Sequence, residues 1–184
     1  MRRSPLLFMI TLSILSSLGV GLFGPIYPIF VVERFSASLE DVGLLVAVFG
    51  LVAAVFKAPA GRLIDLYGKE KVFFAGVIVG AICSLTYIFA FELTQLYIIE
   101  FFFGVSYAMK SPSLLTLMME ISDKGKRGLF LGIFESVYDV VGAVAALLSV
   151  IIVSRYGFDT LLFICSWCEA MAGFFVLKSK KVAC

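Results

Sequence analysis

The sequence predicts an all-α membrane protein, and three observations carry that expectation. Hydrophobic residues make up 61% of the chain and charged residues only 15%. The mean hydropathy is +1.08, whereas soluble domains carry about 25% charged residues. The stretches 4–32 and 72–91 contain no charged residue at all, and a run of about 20 apolar residues crosses roughly 30 Å of hydrocarbon as a helix. Short strands of alternating hydrophobicity, which a β-barrel requires, do not stand out. Helices are the remaining way to satisfy a backbone in lipid.

Six spans are expected, at about 5–32, 41–61, 72–91, 95–119, 128–154 and 159–177, forming a single transmembrane domain over 1–184. The first follows Met1-Arg2-Arg3, which raises the reading of a signal peptide. Its apolar part is far longer than the usual ~7–15 residues and has no small-residue cleavage site, so it is read as a retained span. Small residues form a stripe along it: Ser13, Ser17, Gly21, Gly24 and Pro28. In Gly24-Pro25-Ile-Tyr-Pro28 two prolines remove backbone donors and loosen the helix near its outer end, giving a flexible, cavity-facing element. The second span has Gly43, Ala47, Gly50, Ala54 and Gly61, and the third has Gly76, Gly80 and Ser84. Such stripes let helix backbones approach in lipid. For the third span packing alone is expected.

The connecting segments are short, and their basic residues set the orientation. With the N-terminus inside, Arg2, Arg3, Arg62, Lys69, Lys71, Lys124, Lys126, Arg127, Lys178, Lys180 and Lys181 are cytoplasmic, against Arg34 and Arg155 outside. Both termini are therefore expected in the cytoplasm, and the chain in the cell membrane as a multi-pass protein. The net charge of +2 reflects this asymmetry and gives no reason to expect nucleic acid as a partner. There is no histidine, which removes His-based metal sites and Ser-His dyads. Cys83, Cys165 and Cys168 fall within spans and Cys184 at the cytoplasmic end, so no disulfide framework is expected; Cys165-Ser-Trp-Cys168 reads as packing. No nucleophile–base pair or metal set is visible, and neither an enzyme, a cofactor nor a metal is expected.

An internal echo links Asp65-Leu-Tyr-Gly68, after the second span, to Ser154-Arg-Tyr-Gly157, after the fifth. Three crossings are an odd number, so a second triplet is inverted relative to the first, a 3+3 inverted repeat.

The informative residues are the charges inside spans: Lys57, Glu100, Lys110, Glu135, Asp139 and Glu169. A central Asp, Lys or Arg costs about 2.5–3.5 kcal/mol on insertion, so these need a partner, a proton or a watery cavity. Glu135, Asp139, Gly142, Ala146 and Ser149 share one face of the fifth span. Asp139 lies roughly 16 Å deep at 1.5 Å per residue. Glu100, Gly104, Tyr107 and Ser111 form a comparable face on the fourth span, with Lys110 on its shoulder at similar depth. Two readings stay open. Lys110 with Asp139 or Glu135 is either a buried ion pair registering two helices, or the carboxylates carry protons with Lys110 free for an anionic solute. Glu100 is placed near the outer mouth. Lys57 is close enough to the inner end to snorkel. Glu169, mid-span in the sixth, is either protonated or paired across an oligomer contact.

Gly61, Asp65, Gly68, Lys69 and Lys71 resemble the loop signature between the second and third helices of the major facilitator superfamily. Val20-Gly-Leu-Phe-Gly-Pro-Ile-Tyr-Pro28 is similar to the first helix of its drug-exporter branches, and Lys126-Arg127-Gly128 with Gly132 to the start of its fifth helix. The resemblance covers essentially the whole chain and implies one six-helix half of that fold. It departs at Leu66 and Glu70, where basic residues are usual; at Glu100, ahead of Gly104, where many members carry Arg; and at Gly142-Ala-Val-Ala, where many antiporters have Gly-Pro.

What the resemblance implies is a secondary transporter moving a small solute by alternating access, with proton-coupled export of an amphiphilic compound as the expected activity. Asp139 and Glu135 would couple protons, and Pro25, Pro28, Glu100, Gly104, Tyr107 and Lys110 would line the cavity. Gly61, Asp65, Gly68, Lys69, Lys71 and Arg127 would form the gating loop. Members have two such halves, so the partners expected are lipid, a solute and a second copy in a homodimer, or a second six-helix half. Asp65 would then reach the start of the fifth helix in that copy, near Arg127 and Gly128, an anion at a helix N-terminus. The alternatives are a non-transporting membrane subunit and an inactive remnant.

Overall fold

A computed structural model describes the backbone of residues 3–122 and 125–178, with the side chains of residues 7, 8 and those from 10 onward. Arg2, Lys124, Lys180, Lys181, Cys184 and the side chain of Arg3 lie outside the described residues. The elements are α1 (Arg3–Phe23), α2 (Tyr27–Phe35), α3 (Leu39–Tyr67), α4 (Lys69–Thr86), a 3-10 turn (Tyr87–Phe89), α5 (Leu93–Ile121) and α6 (Arg127–Lys178). The described residues are thus all-helical. Four stretches, Ile10–Phe35, Leu39–Tyr67, Lys69–Phe89 and Arg127–Lys178, are long and apolar enough to cross a membrane. α6 consists of two helical arms joined at a kink at Gly157, which falls between the expected fifth and sixth spans, and the expected first span is broken into α1 and α2.

Local sequence explains the boundaries. The Gly24–Ile26 turn separates α1 from α2, and Pro28 sits in the first turn of α2, where its missing donor costs nothing. Ser38 opens α3 with a capping box: its hydroxyl accepts from the Asp41 amide at 3.2 Å, and the Asp41 carboxylate accepts from the Ser38 amide at 2.9 Å. The expected cytoplasmic loop after residue 61 is mostly helix. Asp65 lies in the last turns of α3, and Gly68 at φ +90° is the single residue between α3 and α4. Gly157 has φ +81°, again a conformation that a side chain would strain.

The contacts show that α6 folds back at Gly157. Its first arm runs parallel to α1: the Ser13 hydroxyl donates to the Phe134 carbonyl at 2.8 Å, Ser17 to Tyr138 at 2.5 Å, and Gly21 meets Gly142. Its second arm runs antiparallel to the same helix, with Phe8 stacked on Phe175 and Gly19 against Glu169. The second arm also lies along α4, where the Ser166 hydroxyl reaches the Ala81 carbonyl at 2.9 Å and Gly173 abuts Val77. α5 packs on α4 through Ser106, whose hydroxyl donates to the Gly76 carbonyl at 2.7 Å. On α3 it packs through Gly104, beside the Phe49 carbonyl.

The small-residue stripes therefore divide into two kinds. Those of α1 and α4 are closed by neighbours, and each serine-to-carbonyl bond adds about 0.6 kcal/mol in a bilayer. That of α3 is uncovered: a methyl group at Gly43, Gly50 or Gly61 would meet nothing within 4 Å. Gly128 and Gly132 of α6 are equally open. Two apolar cores fill the interior, one around Phe30, Tyr87, Leu96 and Leu161, the other around Leu12, Phe73, Phe134 and Val176. Large apolar side chains such as Leu51, Leu147 and Trp167 point outward.

A methyl group at residue 21 would lie 2.8 Å from the Gly142 Cα, a backbone atom that cannot swing aside. Gly21→Ala is expected to destabilise the chain by about 1–3 kcal/mol, as overpacking does. Gly43→Ala, in open space inside α3, meets no clash and should raise stability by up to about 1 kcal/mol, read as a slightly higher thermal unfolding midpoint in detergent.

Candidate functional site

Among the described residues, charge enters the interior at two places. On α5, Glu100 is 4% exposed and its Oε1 accepts from the Tyr87 hydroxyl at 2.5 Å. It is thus buried against the 3-10 turn that follows α4. Ten residues along α5, the Lys110 ammonium donates to Glu169 Oε1 at 2.8 Å and stands 5.4 Å above the Phe103 ring. The Lys110 side chain is 16% exposed and that of Glu169 9%. Lys110 therefore pairs with Glu169 on the second arm of α6, not with Asp139 or Glu135 on the first arm. The reason is packing: α5 lies along α3 and α4, and the Lys110 side of α5 turns to Gly76 and Gly80 of α4, beyond which the second arm lies.

Two glycines make room for this pair. A methyl group on Gly80 would come within 2.7 Å of Glu169 Oε2 and of the Ser106 hydroxyl, and 3.0 Å from the Lys110 ammonium. One on Gly19 would come within 2.8 Å of the Glu169 Cγ. Helices α1, α4, α5 and α6 thus converge on a single ion pair. Breaking a buried pair by removing one partner costs about 3–5 kcal/mol, because the other charge is left uncompensated.

A cavity lies on either side. One, of about 320 Å³, is lined by Lys110, Glu169, Glu135, Tyr107, Ser111 and Tyr138 among others. The other, of about 250 Å³, is lined by Glu100, Glu169, Tyr27, Tyr87, Phe49 and Phe103 among others. Glu169 and Val20 belong to both walls.

The remaining expected site residues are scattered. Glu135 is exposed at the edge of the larger cavity, and Asp139 is exposed one turn further on. Gly104 is a packing residue against α3. Pro25 and Pro28 are exposed at the break in the first span, and Gly24 beside them lines the smaller cavity. Lys57 sits 5.2 Å above the Tyr107 ring. At the helix ends, Lys69 pairs with Glu70 at 3.4 Å and with Glu120 at the end of α5, while Asp65, Lys71 and Arg127 are exposed. Arg34 pairs with Asp159 and donates to the Ile88 carbonyl at 2.8 Å, tying the end of α2 to the 3-10 turn and to the start of the second arm of α6. Cys83, Cys165 and Cys168 are free thiols.

Sequence reasoning singled out Glu169 but did not pair it with Lys110 in the same chain, and it missed Tyr27 and Tyr87. A signal for Glu169 was present: it and Lys110 have opposite charge and lie at matching depths from the cytoplasmic ends of their spans.

The sequence pattern of the Major Facilitator Superfamily matches residues 9–180. An uncharacterized MFS-type transporter of Methanocaldococcus jannaschii is 26% identical over 84% of this chain and 40% of its own length. Multidrug resistance protein 2 of Bacillus subtilis is 27% identical over 68% of this chain and 32% of its own. The quinolone resistance protein NorA of Staphylococcus aureus is 25% identical over 65% of this chain and 31% of its own. The chain spans less than half the length of these relatives.

Lys110→Gln and Glu169→Gln should each destabilise the folded chain by about 3–5 kcal/mol, and the double variant by clearly less than their sum. Thermal unfolding of the four proteins in lipid nanodiscs measures the coupling. Additive losses would mean the pair does not exist.

Proposed function

The chain belongs to the Major Facilitator Superfamily, and on that premise we propose that it is a secondary active transporter, exporting an amphiphilic solute by proton-coupled alternating access. The observation that carries the reading is the Lys110–Glu169 pair, placed where two cavities meet. A charged pair in an apolar bundle is costly to keep, and charge beside a cavity in a membrane protein marks a solute or proton path.

In this reading the chain crosses the cell membrane six times with both termini inside. α1 with α2 is the first crossing, and the two arms of α6 are the fifth and sixth, as two inverted triplets. Two such chains related by an axis along the membrane normal make the working unit. What supports a second copy is the uncovered surface: the α3 stripe from Gly43 to Gly61, and Gly128, Gly132, Glu135 and Asp139 on the first arm of α6. A facing copy would cover Asp139 and Glu135, the residues to which this reading assigns the coupling proton. Asp65, exposed at the end of α3, would dock on the start of α6 in that copy, near Arg127 and Gly128. That contact would close the cytoplasmic side and break when it opens.

Uptake into proteoliposomes, screened over amphiphilic dyes with and without a pH gradient, tests the activity. Gradient-driven accumulation is expected, with Asp139→Asn abolishing it and assembly unchanged. A chain that moves no solute, but binds another transporter half, would instead be a non-transporting subunit.

A further inference from the structure

Two residues lining the smaller cavity carry a buried polar atom without a hydrogen-bond partner among the described residues: Glu169, whose Oε2 lies beside Gly80, and Tyr27, whose hydroxyl stands near the Glu100 carboxyl and the Tyr87 hydroxyl. Glu169 is 7% exposed, and its other oxygen is already taken by Lys110 from the larger cavity. An unmet carboxylate oxygen in an apolar bundle costs about 1–3 kcal/mol or more, so a space kept beside one is a space for a donor. Such a group is satisfied by a ligand, by water or by a proton, and the walls of the cavity distinguish these.

Among the described residues those walls hold two carboxyl groups, Glu100 and Glu169, and no basic side chain. Lys110 offsets one of the two from outside the cavity. The rest is aromatic, with the rings of Phe23, Tyr27, Phe49, Tyr87 and Phe103 around the space. Ring faces attract cations, and Phe103 already presents a face to the Lys110 ammonium. An anion would meet two carboxyl groups. A neutral alcohol would donate a hydrogen bond to the Glu169 carboxylate but bring no charge, whereas an ammonium would add a direct attraction between opposite charges. The size of about 250 Å³ lies below the roughly 300–1,000 Å³ of sites for drug-sized ligands, which limits the occupant to about one ring.

We propose that this cavity is a binding site for a protonated single-ring amine, its ammonium on Glu169 Oε2 and its ring among the aromatic side chains, with the Tyr27 hydroxyl as a second polar contact. The site is complete within one chain. It needs neither a second copy nor a proton gradient, and it assigns to Glu169 the recognition of the ligand's charge. Lys110 is then the internal competitor for the same carboxylate.

The test is equilibrium binding of radiolabelled 2-phenylethylamine to the purified full chain in lipid nanodiscs, with 2-phenylethanol and phenylacetate as neutral and anionic competitors. The amine should bind about tenfold more tightly than the alcohol, a difference of about 1.4 kcal/mol, and phenylacetate should not compete. Tyr27→Phe should weaken amine binding by about three- to tenfold, the range of one buried hydrogen bond. Lys110→Gln leaves Glu169 without its internal cation, so the amine should bind it more tightly than the parent and raise its unfolding temperature by more. A merely structural ion pair would not produce that rescue. The double variant Lys110→Gln, Glu169→Gln keeps the volume and should lose amine binding. Equal binding of amine and alcohol, or full amine binding by the folded double variant, would overturn the proposal. Amine binding by a chain that transports nothing would sink the transport reading alone, and gradient-driven transport by a chain that binds no amine would sink this one alone.

Discussion

A lysine and a glutamate held together inside an apolar helical bundle are the constraint on which the rest of this structure depends. Neither charge is tolerable there without the other. The pair sits where α1, α4, α5 and the second arm of α6 converge, and the two glycines beside it, Gly19 and Gly80, have no room for a methyl group. Their absent side chains are as much part of the site as the charges. The positions of the four helices are thereby coupled to one interaction, and a change in it reaches both cavities through Glu169.

Around that centre the helices are held by contacts suited to lipid. Serine hydroxyls reach backbone carbonyls on the neighbouring helix, and glycine meets glycine between α1 and the first arm of α6. The break at Gly24 to Ile26 frees α2 from the line of α1, and Arg34 then anchors α2 to Asp159 and the Ile88 carbonyl. The bundle is finished on these sides and unfinished on others. The small residues of α3 and the polar edge of α6 bearing Glu135 and Asp139 have no partner helix among the described residues, which is the ground of the proposal that a second copy faces them.

Most helices follow from apolar run length and from turn chemistry at Ser38, Gly68 and the Gly24-Pro25 pair. The reversal within α6 falls at Gly157, inside the gap of residues 155–158 that the apolar runs leave, but run length does not show that one glycine of positive φ is enough to make it. The loop signature is helical through Tyr67, since leucine, isoleucine and tyrosine between its charges continue α3. For the site, the sequence identifies which charges lie in lipid but not their pairing. Lys110 is compatible with Glu135, Asp139 or Glu169 by depth alone, and only the packing of α5 on α4 selects Glu169. Tyr27 and Tyr87 give no warning at all, as an aromatic residue in an apolar run has the same pattern whether it packs or faces a cavity.

The most direct measurement is a solid-state NMR distance between the Lys110 ammonium nitrogen and the Glu169 carboxyl carbon, in isotopically labelled protein reconstituted in bilayers. The account predicts a strong dipolar coupling, consistent with the 2.8 Å hydrogen bond and lost in Glu169→Gln. A Lys110 nitrogen coupled instead to the carboxyl of Glu135 or Asp139, or to none, would contradict it.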